Sequence, residues 1–179
     1  NVERVCVVRG DADIDSGVMA EVARAAARQI RFLLQDAHVM AVTGGRTVAL
    51  TAEAISVAAP MDITVVPAQG GMGGGVSTQA NTVAERFAQK LGGYYRFLHL
   101  PDGLSGAAAD ELARLPQVRE PLELVRHADV LLYGIGRAME LAQRRGLSAA
   151  ERDKLAQEGA VAEALGCYIN AQGRVVGGG

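Results

Sequence analysis

Three glycine clusters carry the chemistry that can be read from this chain. They are Thr43-Gly44-Gly45-Arg46-Thr47, the run from Gln69 through Gly70 and Gly71 to Gly75, and Gly134-Ile135-Gly136-Arg137. Each follows a short apolar, β-branched stretch and precedes a segment with helical spacing. Glycine lets the backbone come close to a ligand. The N–H groups at a helix start, with the positive end of its dipole, favour an anion there. The expected group is a phosphate. The first cluster is the strongest signal, because Thr43 and Thr47 add hydroxyls and Arg46 a cation. A bland alternative, in which Gly44 and Gly45 only turn the chain while Thr47 caps a helix, is weakened by the coincidence of three clusters.

Other chemistries fit less well. Met139 stands where the third glycine of a dinucleotide fingerprint would follow Gly134 and Gly136, and no Lys-Ser/Thr pair follows the second cluster as a P-loop requires. Gln79 and Asn81 open a helix after the second cluster; they are possible caps, but amides also bond hydroxyl and phosphate oxygens, and Gln79 is the favoured ligand contact. His38, His99 and His127 are scattered without a nearby Cys or Ser motif, so no catalytic or metal role is expected of them. An enzyme moving a proton beside a sugar carbonyl would need a carboxylate, for which Asp102, Glu85 and Glu163 are the candidates. Arg144 and Arg145 end a helix, where cations offset its negative end. Tyr94 and Tyr95 read as core or interface residues, and Arg24, Arg28 and Arg31 as a solvated or subunit-contact stripe.

The elements that must position these residues alternate along the chain as in a parallel sheet with crossover helices. Strands are expected near Val2–Val8, His38–Thr43, Asp62–Ala68, Tyr94–Leu100 and Asp129–Ile135, each nearly continuous in apolar residues. Helices are expected near Ser16–Leu34, Arg46–Val57, Thr78–Leu91, Gly106–Arg114, Val118–His127 and Arg137–Arg145, with Ser16 able to cap the first. A polar helix over Leu147–Glu158 starts with the Ser148/Glu151 spacing of a capping box. A short helix over Gly159–Leu165 and a hairpin at the sheet edge, Cys167–Asn170 with Arg174–Val176, complete the reading. The fold class is therefore α/β, a Rossmann-like, doubly wound, mostly parallel sheet. In such sheets the glycine clusters converge on one crevice.

Composition sets the frame. The chain has 179 residues, 49% hydrophobic and 21% charged, with a formal net charge of −2, which is the make-up of one globular domain spanning residues 1–179. Twenty-two glycines stand against seven aromatics. No apolar run approaches the ~18 residues a membrane crossing needs and no leader opens the chain, so a cytoplasmic location without membrane contact is expected. A pI near 5.9 argues against a basic nucleic-acid surface on this segment, although sixteen of the eighteen cations are arginine. Cys6 and Cys167 lie in apolar surroundings and read as buried thiols in a reducing compartment. The chain opens on Asn1 and closes on Gly177–Gly179, so both ends read as cuts in a longer protein.

Taken together, VTGGRTVA, VPAQGGMGGGVSTQANTVAERFAQKLGG, YYRFLHLP, LLYGIGRAMELAQRR and AVAEALGCYINAQGRVV resemble the effector-binding domain of the SorC family of bacterial transcriptional regulators. The resemblance runs over about residues 1–176, and Gly70-Gly71 followed by Gln79-Ala80-Asn81 is its most specific part. It implies a non-enzymatic sugar-phosphate sensor of a glycolytic repressor. The implied fold is similar to glucosamine-6-phosphate deaminase and ribose-5-phosphate isomerase; an isomerase or deaminase on that scaffold is the alternative. It further implies no cofactor, fructose 1,6-bisphosphate or a related phosphosugar as effector, operator DNA as partner through an amino-terminal helix-turn-helix domain, and a homodimer or homotetramer. Carried over by position, Thr43, Gly44, Gly45, Arg46 and the Gly70-Gly71 loop match phosphate-binding segments, Gln79 a polar contact, and Arg144 and Glu163 further contacts to the sugar phosphate. Arg46 stands where the family relative has Thr, and Gln69 where it has Arg, so one cation has moved between loops. Glu163 is expected to face either sugar hydroxyls or Arg144.

Overall fold

The structure, a computed structural model, describes residues 2–71, 75–101, 104 and 106–178. Helix α1 (Gly17–Leu33) leads into β1 (Val39–Val42), α2 (Arg46–Ala54), β2 (Thr64–Pro67), a 3-10 turn (Val76–Thr78), α3 (Ala80–Leu91) and β3 (Tyr94–Tyr95). Then come α4 (Ala107–Ala113), α5 (Pro116–Arg126), β4 (Val130–Leu132), β5 (Gly136–Arg137), α6 (Ala138–Arg144) and α7 (Ala149–Gln157). The strands β6 (Ala160–Ala164), β7 (Cys167–Asn170) and β8 (Val175–Gly178) end the chain.

The first four strands form a parallel sheet in the order β3-β2-β1-β4. Side-chain alternation sends Met40, Val42 and Val65 to one face, where they are fully buried with Ile30 and Leu34, Val48 and Ala52 of α2, and Val83 and Phe87 of α3. On the other face α5 packs against β1 and β2 and buries Val118. Burial on both faces is why β1 and β2 read as continuous apolar runs. The chain crosses from one side of β1 to the other between β3 and β4. The carboxyl ends of β1 and β4 are thus the switch point where open α/β sheets bind ligands.

The remaining strands form a second, antiparallel sheet in the order β5-β6-β7-β8, with Glu163 opposite Gly136. Ala138, Ala142, Leu155 and Tyr168 make its small core. The capping box on α7 forms as its spacing predicts: Ser148 Oγ accepts the Glu151 N–H at 3.3 Å and Glu151 Oε2 accepts the Ser148 N–H at 2.7 Å.

Several elements differ from expectation. Residues 2–8 form no strand, so the parallel sheet has four strands rather than five; Val2, Val5 and Val7 are exposed because no sheet edge takes up their backbone. The Tyr94–Leu100 strand stops after two residues, since Asn81 rather than a neighbouring strand holds both polar groups of Leu98. Of the core or interface places expected for Tyr94 and Tyr95, their exposure removes the core. Within Gly159–Leu165 the chain is strand over Ala160–Ala164, not helix: its alanines pair across β5 and β7, and Leu165 (φ 55°) with Gly166 (φ 86°) makes the two-residue turn into β7. The hairpin belongs to this second sheet rather than to the edge of the first. Gly136 and Arg137 are also strand. Ser16 sits at the α1 N-cap but makes no capping bond; Asp15 Oδ1 takes the Gly17 N–H at 2.8 Å. Cys6 is exposed and Cys167 half-buried, unlike the buried thiols expected.

Candidate functional site

A cleft of about 270 Å³ opens at the carboxyl ends of β1 and β4. Its first wall is the turn from β1 into α2, with Thr43, Gly44, Gly45, Arg46 and Thr47 all lining it. Thr43 is 2% exposed, and its N–H donates to Leu132 O at 3.0 Å, which ties the turn to β4. Gly45 is the α2 N-cap with φ 120°, a conformation that favours glycine, and its side-chain direction is open space. Gly44 is glycine for a different reason from the one the sequence suggests. A Cβ there would lie 2.5 Å from Thr78 O, so it is the chain's own backbone that approaches. The first-turn N–H groups of α2 have no intrahelical acceptor and line up behind Gly45. Arg46 is exposed, and no carboxylate lies within 4.0 Å of it among the described residues.

The loop after β2 contributes Gln69 and the buried Gly70. Gly71 turns away: its N–H donates to Leu100 O at 2.9 Å and it pairs with Pro101, outside the cleft lining. Residues 72–74 of the glycine run lie outside the described residues. Gln79 lines the cleft from the α3 N-cap, where its side chain makes no capping bond. Asn81 is committed elsewhere, donating to Leu98 O at 3.0 Å and accepting the Leu98 N–H at 2.9 Å.

The opposite wall carries Gly134, Gly136, Arg144 and Glu163, together with Arg137 from the third glycine cluster and with Glu140, Arg145 and Leu165, which sequence reasoning did not assign to it. The partner of Glu163 is Arg145, not Arg144. Arg145 Nη2 donates to Glu163 Oε1 at 3.0 Å, and the same oxygen accepts the Gly166 N–H at 2.6 Å. Arg144 is exposed and, like Arg46, has no carboxylate partner among the described residues. Arg137 pairs with Asp13 and, at 3.1 Å, with Glu140; the bond to Asp13 foremost and then that to Glu140 hold its guanidinium above the ordinary arginine pKa. The residues flanking the Leu165-Gly166 turn, AVAEA and CYIN, were the available signal for this wall.

None of His38, His99 and His127 lines the cleft. Glu85 lies outside it, accepting from Gln89 at 3.3 Å, and Asp102 lies outside the described residues. Among the described residues no group of three His, Cys, Asp or Glu could hold a metal ion, and no helix is long and apolar enough to cross a membrane.

A family model described as "Putative sugar-binding domain" matches residues 1–178. The central glycolytic genes regulator of Priestia megaterium is 39% identical over 179 residues, and that of Bacillus subtilis 37% identical over 177. In both cases 98% of this chain is covered, and the chain spans 52% of the relative's length. A solved structure described as a "putative SorC family transcriptional regulator" from Enterococcus faecalis superposes with a TM-score of 0.84 at 36% identity, covering 96% of this chain and 71% of that one. The full-length sorbitol operon regulator SorC from Klebsiella pneumoniae has the same fold, with a TM-score of 0.83 at 17% identity over 94% of this chain and 57% of that one. By these matches and by the Rossmann-like sheet that carries the cleft, the chain belongs to the sugar-binding-domain family of SorC-type transcriptional regulators.

Proposed function

We propose that the cleft binds a phosphorylated sugar, fructose 1,6-bisphosphate or a close analogue, and that its occupancy adjusts operator binding by a DNA-binding part of a longer, cytoplasmic regulator of glycolytic genes. One observation carries the reading. Arg46, beside the α2 N-terminus, and Arg144, on the opposite wall, both line the cleft without a carboxylate partner among the described residues. Two uncompensated guanidinium groups on opposite walls suit a ligand with an anionic group at each end, since the planar fork matches phosphate oxygens. Thr43, Thr47, the Gly44 N–H and the first-turn N–H groups of α2 beyond Gly45 would complete one phosphate cradle, while the Gly45 N–H donates to Thr78 O at 2.8 Å and fixes the turn. Gln69, Gly70 and Gln79 supply uncharged contacts, and Gly134 and Gly136 line the far wall, Gly136 packed closely on Leu141. The names of the Priestia and Bacillus relatives support the link to glycolytic genes.

A binding rather than a catalytic role is supported by what lines the cleft. Among the described residues that line it, the two carboxylates, Glu140 and Glu163, are each bonded to an arginine, and proton transfer to a sugar carbonyl needs a free base. A sensor needs only different affinity for two states, typically ~1–3 kcal/mol. Calorimetric titration of fructose 1,6-bisphosphate into the wild type and the Arg46→Ala, Gln79→Ala and Arg144→Ala variants tests the site. Affinity unchanged in all three would refute it. Turnover of fructose 6-phosphate or ribose 5-phosphate would establish the isomerase reading instead.

A further inference from the structure

Arg137 lines the cleft, yet it also holds a residue 124 positions away. Its Nη2 pairs with Asp13, in the turn over residues 12–14, while Nη1 donates to Glu140 at 3.1 Å. Residues 2–16 form no helix or strand, and Val2, Val5, Val7 and Ile14 are largely exposed. Among the described residues, besides the Asp15–Gly17 bond at its junction with α1, two side-chain bonds tie this segment to the rest of the molecule: Arg4 Nη1 to Gln29 Oε1 at 3.0 Å, on α1, and Asp13 to Arg137. The second of them ends on a cation of the cleft.

We propose that Asp13 and an anion in the cleft compete for Arg137, so that ligand binding and docking of residues 2–16 oppose one another. This rests on the reading of the cleft as a phosphosugar site. A phosphate brings more charge and more acceptor oxygens than one carboxylate, so an occupied cleft draws the guanidinium inward and weakens its hold on Asp13. The pair is breakable: the side chains of Arg137 and Asp13 are 61% and 64% exposed, where ion pairs are weak and screened by salt. Glu140, on the same helix as Arg144, stays with Arg137 in both states and limits the exchange to one partner. Coupling of this kind is reciprocal: whatever the ligand does to segment docking, docking does to ligand affinity.

The test uses the 179-residue chain with fructose 1,6-bisphosphate and inorganic phosphate as probes. Asp13→Asn is expected to tighten binding of fructose 1,6-bisphosphate by about two- to fivefold, the scale of one exposed ion pair. In an Arg137→Gln background the same substitution is expected to change nothing, which separates the specific pair from a general loss of negative charge. Cys6, exposed within the segment, reports docking directly. Its alkylation, resolved from that of Cys167 by mass spectrometry, is expected to quicken in Asp13→Asn without ligand and in the wild type on adding the bisphosphate. Wild-type binding with equal affinity in Asp13→Asn, and Cys6 labelling indifferent to ligand, overturns the competition and leaves the cleft assignment standing. Absence of any binding of either probe to the wild type removes the cleft assignment and the competition with it.

Discussion

Glu163 Oε1 accepts two bonds at once, from Arg145 Nη2 at 3.0 Å and from the Gly166 N–H at 2.6 Å. Glu163 lies on β6 opposite Gly136 of β5, and Arg145 follows α6, so one carboxylate oxygen joins three pieces of the cleft's far wall. Both side chains are withdrawn from water, at 7% and 14% exposure, where a charge requires its partner. The Gly166 bond also holds the turn in which Leu165, a cleft residue, adopts the left-handed conformation.

Removing this acceptor is expected to be costly. Glu163→Ala should lower unfolding stability by about 3 kcal/mol, the scale for breaking one side of a buried ion pair. Glu163→Gln keeps an acceptor for Gly166 and should lose less than half as much. Urea unfolding with an unchanged m value checks both, and equal stability of Glu163→Ala and wild type would show that the pair does not hold this wall.

The two glycines of the first turn should respond differently to alanine. At Gly44 the new Cβ meets Thr78 O at 2.5 Å and Ala80 N at 3.0 Å, both backbone atoms, so the turn and the α3 start must separate. At Gly45 there is room, and the cost is the φ of 120° alone. Each is expected to cost about 1–3 kcal/mol, a Tm decrease of roughly 2–4 °C per kcal/mol for a chain of this size. Only Gly44→Ala should also move Thr78 and Gln79, read as a change in the backbone amide shifts of residues 76–81.

How much of this could be seen beforehand follows from the range of the interactions. HVMAVT and DITVVP announce buried parallel strands, because each residue must suit an apolar neighbour on either face, and the glycines that follow them mark the cleft. Thr43 to Thr47, Gln69, Gly70 and Gln79 reach the cleft through those strands alone. The far wall depends on pairings invisible to local pattern. Alanine-rich AVAEA has high helix propensity and becomes strand because Gly136 and Tyr168 flank Glu163. Arg145 rather than Arg144 meets Glu163 because the second sheet sets which side of the α6 end is covered, and Asp13 finds Arg137 across 124 residues. Val2–Val8 has the right composition for a strand, yet its backbone pairs with neither edge of the parallel sheet.

Acid should expose the junction of β1 and β4. The N–H groups of Val39 and His38 donate to Asp129 Oδ2 at 2.9 and 2.8 Å, and these bonds, Val39 first, hold its carboxyl below the ordinary 3.8. The folded state therefore binds this proton less readily than the unfolded chain. The contribution to stability is complete above the ordinary value and disappears as pH falls through the lowered one. Asp129→Asn is expected to be less stable than wild type near neutral pH, with the gap closing below about pH 4. A gap that stays constant from pH 7 to pH 3 would show that the ionised form is not what those amides hold.

The cleft arginines offer a test of ligand orientation as well as of binding. A charge-assisted bond to phosphate is worth about 1.5–3 kcal/mol, so Arg46→Ala and Arg144→Ala should each weaken fructose 1,6-bisphosphate binding about tenfold or more. Arg46 belongs to α2 and Arg144 to α6, on separate walls, so each is expected to hold a different phosphate. The double variant should then lose the product of the two factors. A monophosphate removes one of the two partners. Fructose 6-phosphate binding should fall in one variant and be nearly indifferent to the other, and the indifferent arginine marks the pole that held the missing 1-phosphate. Lysine at position 46 should restore part of the loss, because it keeps the charge without the bidentate fork. If both variants weakened the monophosphate equally, the two guanidinium groups would be gripping one phosphate, and the ligand would lie across the α2 N-terminus rather than between the walls.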